Sequence, residues 1–300
     1  MSGLAPGTLP AVQPPFEVDA PHRVVPSPRP LAHQPQVIVD AAWPHALERR
    51  LQRLLDEPAA ILVRDPERRD DEGLSQGLRA AWSLLPRTGL DRLGVHVDLQ
   101  SLRAEQTGPS ECPSATDAIV ARRGWELLAV AWGLSCSDDL VVLRRAGPGQ
   151  LRAELLSVAF PSGWSPRDRA GASLAELHAP VADGERLQRA TGALSEALLT
   201  KGPYLQHVWG VDRCGRLDQD PRSSYDAQPL VWHLRVERQT SVPLPGLDRA
   251  LFTIRPYLTP LTDLTPDQLG RLGQALASMS PESLAYKGVP VDLVAQIKAG

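Results

Sequence analysis

Two alternating runs in the last third of the chain constrain its fold more than any other feature. Val231–Gln239 and Arg249–Leu258 both alternate with a period of two, which is typical of β-strands. The bend between them contains Pro243, Pro245 and Gly246, residue types that favour a turn. The two runs therefore predict an antiparallel hairpin within a sheet.

The alternation also predicts what each face of this hairpin carries. In the first strand, one face holds His233, Arg235, Glu237 and Gln239, and the other holds Trp232, Leu234 and Val236, with Arg238 at its edge. In the second strand, Phe252 and Ile254 oppose Thr253, Arg255 and Tyr257. We expect one apolar face against the core and one face with rows of acid, base and amide groups. The alternative is an ordinary antiparallel hairpin with one solvent-exposed face, which would show the same pattern.

The remaining periodicities predict an α+β protein with a central antiparallel sheet wrapped by helices. A second hairpin is predicted from Asp139–Arg145 and Leu151–Phe160, with a turn at Gly147–Gly149. Shorter strands are predicted at Gln36–Val39, Gly94–Leu99 and Tyr204–Gly210. Helices are predicted over Trp43–Glu57, Gly73–Leu85, Ser114–Ala131, Glu185–Leu199, Thr265–Ser280 and Val291–Lys298.

A histidine follows the second hairpin in a conspicuous setting. Ser173 and Glu176 have the spacing of a capping box, and His178 ends the helical turn that they begin. Ala179-Pro180 then prevents the helix from continuing. His178 can either bond a carbonyl at the helix end or project into a pocket, and its spacing alone leaves both interpretations open.

Bulk composition narrows the class of protein. Residues 1–36 are rich in proline and predict an extended or disordered arm with solvated His22 and His33, ahead of a domain at residues 37–300. A net charge of −3 over 300 residues indicates neither a nucleic-acid partner nor a membrane surface. Three cysteines without a CxxC pair, and no signal-peptide pattern at the start, favour a cytoplasmic protein.

Familiar catalytic motifs are missing from the sequence. It contains no GxGxxG, P-loop, GxSxG or HExxH pattern, so no nicotinamide or flavin domain is predicted. Asp138 and Asp139 are adjacent in a predicted strand and should point to opposite faces. We therefore do not expect these two carboxylates to act together in general acid–base catalysis.

Several blocks, in order, resemble one known family. They are FPSGWSPRDRAGASLAELHAPV at 160–181, LRVERQT at 234–240, LFTIRPYLTPL at 251–261, AYKG at 285–288 and, more weakly, SDDLVVL at 137–143. From about Thr116 to Gly288 the chain resembles the heme-dependent oxidative N-demethylase alpha-subunit family, formerly a domain of unknown function. The resemblance implies a PAS-like domain that holds heme b and oxidatively demethylates a small secondary amine.

A heme enzyme needs an axial ligand, an apolar slot and cations for the propionates. The candidates are His178 as the iron ligand, Trp164, Phe160 and Val158 for the slot, and Arg235, Arg238 and Arg255 for the propionates, with Tyr257 beside them. Glu237 is the best-placed carboxylate for an alkylammonium substrate, since a buried charge must be paired. Glu237 and Arg235 are therefore the candidate catalytic residues.

The same resemblance implies O2 as co-substrate and a separate reductase of the flavin/iron–sulfur type. The chain reads Gln206-His207-Val208-Trp209 where family members often have Arg-x-Asn-Trp, and Ala182 stands where a second proline often follows. Because of these two departures from the family pattern, the resemblance does not identify the substrate. The alternative functions are a heme-binding PAS-like sensor and a non-catalytic subunit, because a fold does not define an activity.

Overall fold

The structure is a computed structural model that describes residues 9–18, 20–68, 70–222 and 231–299. Parts of the predicted arm, at residues 1–8 and 19, lie outside these ranges. The architecture is α+β, as predicted, with one large antiparallel sheet and helices packed around it. The division between residues 1–36 and 37–300 stays a prediction.

Nine strands lie in the described part of the chain. They are β1 (Arg29–Pro30), β2 (Leu62–Arg64), β3 (Val95–Asp98), β4 (Arg103–Gln106), β5 (Asp139–Gly147), β6 (Gln150–Ser157), β7 (Tyr204–Asp212), β8 (His233–Leu244) and β9 (Arg249–Pro260). Seven form one sheet in the order β1-β7-β8-β9-β5-β6-β2, and β3 and β4 form a separate hairpin. Both predicted hairpins are confirmed, as β5–β6 and β8–β9.

Eleven α-helices also lie in the described part of the chain. They are α1 (Trp43–Asp56), α2 (Pro58–Ile61), α3 (Asp71–Ala81), α4 (Arg87–Arg92), α5 (Pro113–Val120), α6 (Gly124–Ser135), α7 (Leu174–His178), α8 (Glu185–Thr200), α9 (Pro266–Ala277), α10 (Pro281–Tyr286) and α11 (Val291–Ala299). Most predicted helices are confirmed within a few residues at their ends. The signals of local capping and periodicity were therefore sufficient to place them.

Two local predictions are wrong. Residues 36–39 form no strand, although their composition suits one. The helix predicted over Ser114–Ala131 is two helices, because the backbone of Gly124 adopts a φ of +60° that a continuous helix cannot contain.

The sheet divides the core into two faces. One face, here the α6 face, carries Leu140, Val142 and Leu251, which pack with α1, α3 and α6. The other, here the α8 face, carries Val141 and Phe252, which pack with α7 and α8. Because directly paired residues of antiparallel strands share a face, every strand residue can be placed on one of the two.

The described residues of the proline-rich N-terminal segment contact the rest of the chain at two places. Arg29–Pro30 pairs with the outer edge of β7, and Val18 is buried in a third apolar cluster formed with α9 and α11. His22 was expected to be solvated, but its ring packs edge-on against Trp209 at 5.5 Å between ring centroids. Burial, aided by the charge of Lys287, lowers the pKa of His22 to about 4.

Within the described residues, no helix combines the length and apolar character that crossing a bilayer requires.

Candidate functional site

Helix α7 presents His178 on the α8 face of the sheet. Its predicted capping box is present: the Ser173 hydroxyl accepts from the Glu176 amide at 3.2 Å, and the Ser173 amide donates to Glu176 Oε2 at 2.7 Å. Leu174, the first helical residue, is buried in the same apolar cluster as Val158 and Phe252. The capping box and this buried contact together fix the position of a helix only one turn long.

The tautomer of His178 follows from its hydrogen bond. Nδ1 lies 2.7 Å from the carbonyl oxygen of Leu174, which can only accept, so Nδ1 carries the proton. Burial lowers the pKa of His178 below its usual value, which keeps the imidazole neutral. No described residue bonds Nε2, whose lone pair is therefore available. A backbone-oriented neutral imidazole of this kind suits an iron ligand.

A polar row on β8 lies on the same face. Arg235, Glu237 and Gln239 alternate with the residues that face α6, and Ser241, two further on, pairs with Phe252 of the α8-face cluster. Arg235 is buried, whereas Glu237 and Gln239 are half-buried. The predicted placement of Arg235 and Glu237 on one face is therefore confirmed.

Beside this row, part of the α8 face is open. Gly210 of β7 pairs with Arg235, and a Cβ built on Gly210 would meet no atom within 4 Å. Val208 pairs with Glu237 and is 44% exposed, and Gln206 is half-buried. The strip formed by Gln206, Val208 and Gly210, here the β7 strip, is a floor without a bulky cover where a flat ligand could rest.

The other predicted cations are on the opposite face. Arg238 pairs with Arg255 in the β8–β9 register, so both side chains, with Tyr257 two residues on, face α6. Arg255 bonds both carboxylate oxygens of Asp40 at 3.0 Å, and Arg238 bonds the carbonyl oxygens of Pro35 and Gln36.

The prediction of a single polar face across the hairpin was therefore wrong. The pairing register sets the polar row of β9 beside the apolar row of β8, and alternation within each strand cannot reveal this offset. Arg238, Arg255 and Tyr257 are not brought together with His178.

The predicted apolar slot is also divided. Trp164 packs partly buried in the α8-face cluster with Val158, and that these two residues line a cofactor slot stays a prediction. Phe160 is fully buried on the α6 face, with the Arg50 guanidinium 4.8 Å from its ring centroid. The ring of Phe160 therefore does not line the α8 face. Trp232, which was expected in the core, precedes β8 and is only half-buried.

Asp138 and Asp139 are both buried, but in structural settings. Asp139 bonds Arg50 and the amides of Ala159 and Phe160. Asp138 accepts from the amide of Ile38, and burial raises its pKa to about 6 against the opposing charges of nearby arginines. The expectation that they do not act as a catalytic pair remains a prediction.

Sequence reasoning did not predict the hydrogen bonds that Glu237 makes. Ser162 donates to Glu237 Oε1, Gln239 donates to Oε2 at 2.8 Å, and Gln206 donates to Gln239 at 2.7 Å. Glu237 and Gln239 share a face by alternation, which was visible in the sequence. Ser162 comes from the turn after β6, and no local pattern connects it to β8.

The fold and the site together define a class: an α+β protein whose antiparallel sheet carries an open strip and a half-buried carboxylate on the face where a short helix with a neutral histidine also packs. Residues 96–293, well over half of the chain, match the family model described as "Haem-dependent oxidative N-demethylase, alpha subunit-like". The chain belongs to this family. The description names dependence on heme, an oxidative N-demethylase and a likeness to its alpha subunit.

Proposed function

We propose that the protein is the heme-binding, oxygen-activating subunit of an oxidative N-demethylase that acts on a small amine. The observation that carries this is His178, whose Nδ1–H is bonded to its own helix while Nε2 keeps its lone pair. Family membership supports heme as the cofactor, and heme b in a PAS-like domain is the form that the sequence resemblance favours.

The residues of the α8 face fit a flat macrocycle. Gly210 leaves space above β7, and Trp164 with Val158 supplies apolar surface near α7. Arg169 is half-buried and close enough to His178 for its charge to lower the histidine pKa. Arg169 therefore replaces Arg238 and Arg255 as the candidate cation for a heme carboxylate.

When bound, heme would supply the activation of O2 that the side chains themselves cannot provide. The protein's own part is to place the amine. Glu237 is half-buried and lies beside the β7 strip, and the described residues that donate to it, Ser162 and Gln239, are neutral. An alkylammonium ion beside it would neutralise the carboxylate, and each charge would compensate the desolvation of the other.

Electrons must come from a second protein. The chain has neither a dinucleotide fingerprint nor cysteines spaced for an iron–sulfur cluster. The family's alpha-subunit description supports a multi-component system. We propose a separate reductase of the flavin/iron–sulfur type, with O2 and a small methylated amine as the other reactants.

The test is heme reconstitution of the purified protein, His178→Ala, Gly210→Val and the control His45→Ala, which alters an exposed histidine of α1. Wild type and His45→Ala should develop the same Soret band. His178→Ala should lose or shift it. Gly210→Val should keep its melting temperature, because the new side chain enters open space, but bind heme more weakly. An unchanged Soret band in His178→Ala would exclude His178 as the ligand.

Turnover separates the enzyme from the sensor. With a competent reductase, O2 and a secondary methylamine, the heme-loaded protein should release formaldehyde and the demethylated amine. Tight heme binding with no product across a panel of amines would instead favour a heme-binding sensor or non-catalytic subunit.

A further inference from the structure

A serine hydroxyl separates the two charges of the β8 polar row. Arg235 Nε donates to Ser162 Oγ at 2.6 Å, and Ser162 Oγ in turn bonds Glu237 Oε1. The remaining guanidinium bonds of Arg235 go to the carbonyl oxygens of Phe160 at 2.9 Å and Arg216 at 3.3 Å. Among the described residues, therefore, Arg235 and Glu237 are bridged and make no direct ion pair.

The directions of these bonds follow from donor and acceptor chemistry. A guanidinium can only donate, so the hydroxyl of Ser162 accepts from Arg235 and gives its single proton to Glu237. Gln206 donates to Gln239, whose NH2 group then donates to Glu237 Oε2. If the side-chain amide of Gln239 were flipped, its carbonyl oxygen would face the carboxylate of Glu237, and two groups that can only accept would meet.

Two chains of donors thus converge on one carboxylate, and both of its oxygens accept. That arrangement suits an ionised Glu237. A carboxylate offers about four lone-pair sites, of which these neutral donors occupy two. A direct bidentate contact with Arg235 would instead neutralise the charge and occupy the same oxygens.

A second cation nearby, Lys287, does not neutralise Glu237 by contact. Lys287 Nζ donates to the carbonyl oxygen of Trp209 at 2.9 Å and lies 5.6 Å from the Trp209 ring centroid. Burial lowers the pKa of Lys287, and the charge of Glu237 partly opposes that shift. The negative charge of Glu237 therefore acts on Lys287 from a distance, and among the described residues no cation contacts its carboxylate.

We propose that Ser162 is a positioning residue that keeps Arg235 off Glu237, so that the carboxylate is left for a cationic amine. The inference rests on the proposed function for the identity of the ligand. It makes the site selective for a small monocation over a neutral molecule of the same shape, because only a cation restores charge balance at Glu237.

The test compares Ser162→Ala with Ser162→Thr, which keeps the hydroxyl. The control is Ser101→Ala, which removes a serine–carboxylate bond to Asp98, 2.6 Å long, on an exposed turn away from the site. Heme-loaded proteins are titrated with dimethylammonium and with isopropanol, a neutral probe of similar size, by the optical change of the heme. Crystal structures of the Ser162→Ala protein report the Arg235–Glu237 distance.

Ser162→Ala should form a direct Arg235–Glu237 ion pair and weaken dimethylammonium binding about tenfold. Its isopropanol affinity and Soret band should match wild type. Ser162→Thr should bind dimethylammonium within about twofold of wild type, and Ser101→Ala should not differ from it. Should Ser162→Ala not fold, Ser162→Cys, a weak donor, takes its place.

Where wild type binds dimethylammonium, equal effects on both probes in Ser162→Ala, or no effect on either, would overturn the inference. Charges that stay apart in the variant crystal would overturn it in any case. If wild type binds heme but no amine, while the ion pair forms in the variant, the proposed function fails and the spacing role of Ser162 stands. If amine binds and Ser162→Ala leaves its affinity unchanged, the inference fails alone.

Discussion

At the scale of the residue, Arg255 shows how strongly its surroundings decide what an arginine does. It lies inside a conspicuous block of the sequence, yet its side chain is almost fully buried on the α6 face and bonded to Asp40. Its guanidinium also lies 4.8 Å from the Tyr257 ring centroid. The pair ties the segment before α1 to the centre of the sheet, which is a structural role.

Arg255→Met should therefore lower the free energy of unfolding by about 3–5 kcal/mol, because Asp40 would be left as a buried unpaired charge. The Soret band of whatever protein folds should match wild type. Urea unfolding measures the free energy of unfolding, and heme titration measures the Soret band. The double variant Arg255→Met with Asp40→Leu is the control, and should recover most of the loss. A lost Soret band at unchanged stability would return Arg255 to the cofactor site.

At the scale of the element, α7 and α9 begin with the same device. Thr265 and Gln268 form a capping box at α9 with the same pair of bonds that Ser173 and Glu176 form at α7. Helix α9 spans Pro266–Ala277 and has an apolar face of its own, whereas α7 has five residues. So short a helix depends on its cap and on the packing of Leu174.

Ser173→Ala and Thr265→Ala should each cost about 1 kcal/mol of unfolding free energy. Only Ser173→Ala should speed the transfer of heme to apomyoglobin, because only α7 carries His178. Thr265→Ala is the matched control. Equal heme transfer rates in the two variants would mean that the α7 cap does not position the ligand.

At the scale of the whole molecule, stability should depend on pH through Asp138. Its native pKa of about 6 lies above the usual 3.8, since burial disfavours the charged form. The folded protein therefore holds the proton more tightly than the unfolded chain. The stability contributed by this group is present at low pH and is lost as pH rises from about 4 to about 6.

Asp138→Asn should abolish this dependence while keeping an acceptor for the Ile38 amide. Relative to wild type, the variant should gain up to about 3 kcal/mol at pH 8 and little at pH 4, as about two pKa units imply. Urea unfolding at the two pH values measures the difference. Asp98→Asn is the control, and its effect on stability should change with pH in the opposite direction. Hydrogen bonds from Ser101 and the Gln100 amide lower the pKa of Asp98, whereas the pKa of Asp138 is raised. A difference that does not change with pH would contradict the role of Asp138.

The sequence by itself determined the local elements. Period-two runs defined β5, β6, β8 and β9, and short-range chemistry defined the cap of α7 and the start of α9, because backbone hydrogen bonding and capping act within a few residues. The position of His178 at the end of α7 followed from the same local rules. The family resemblance, which rests on several blocks in order, was confirmed by the match over residues 96–293.

Only the tertiary structure decided which side chains meet. The β8–β9 register placed Arg238 and Arg255 on the face away from His178, and contacts far apart in the chain brought Ser162 to Glu237 and His22 to Trp209. Alternation says that two residues share a face but not what covers that face, since strand register and helix packing depend on the whole core. The elements were therefore predictable and the site was only partly so.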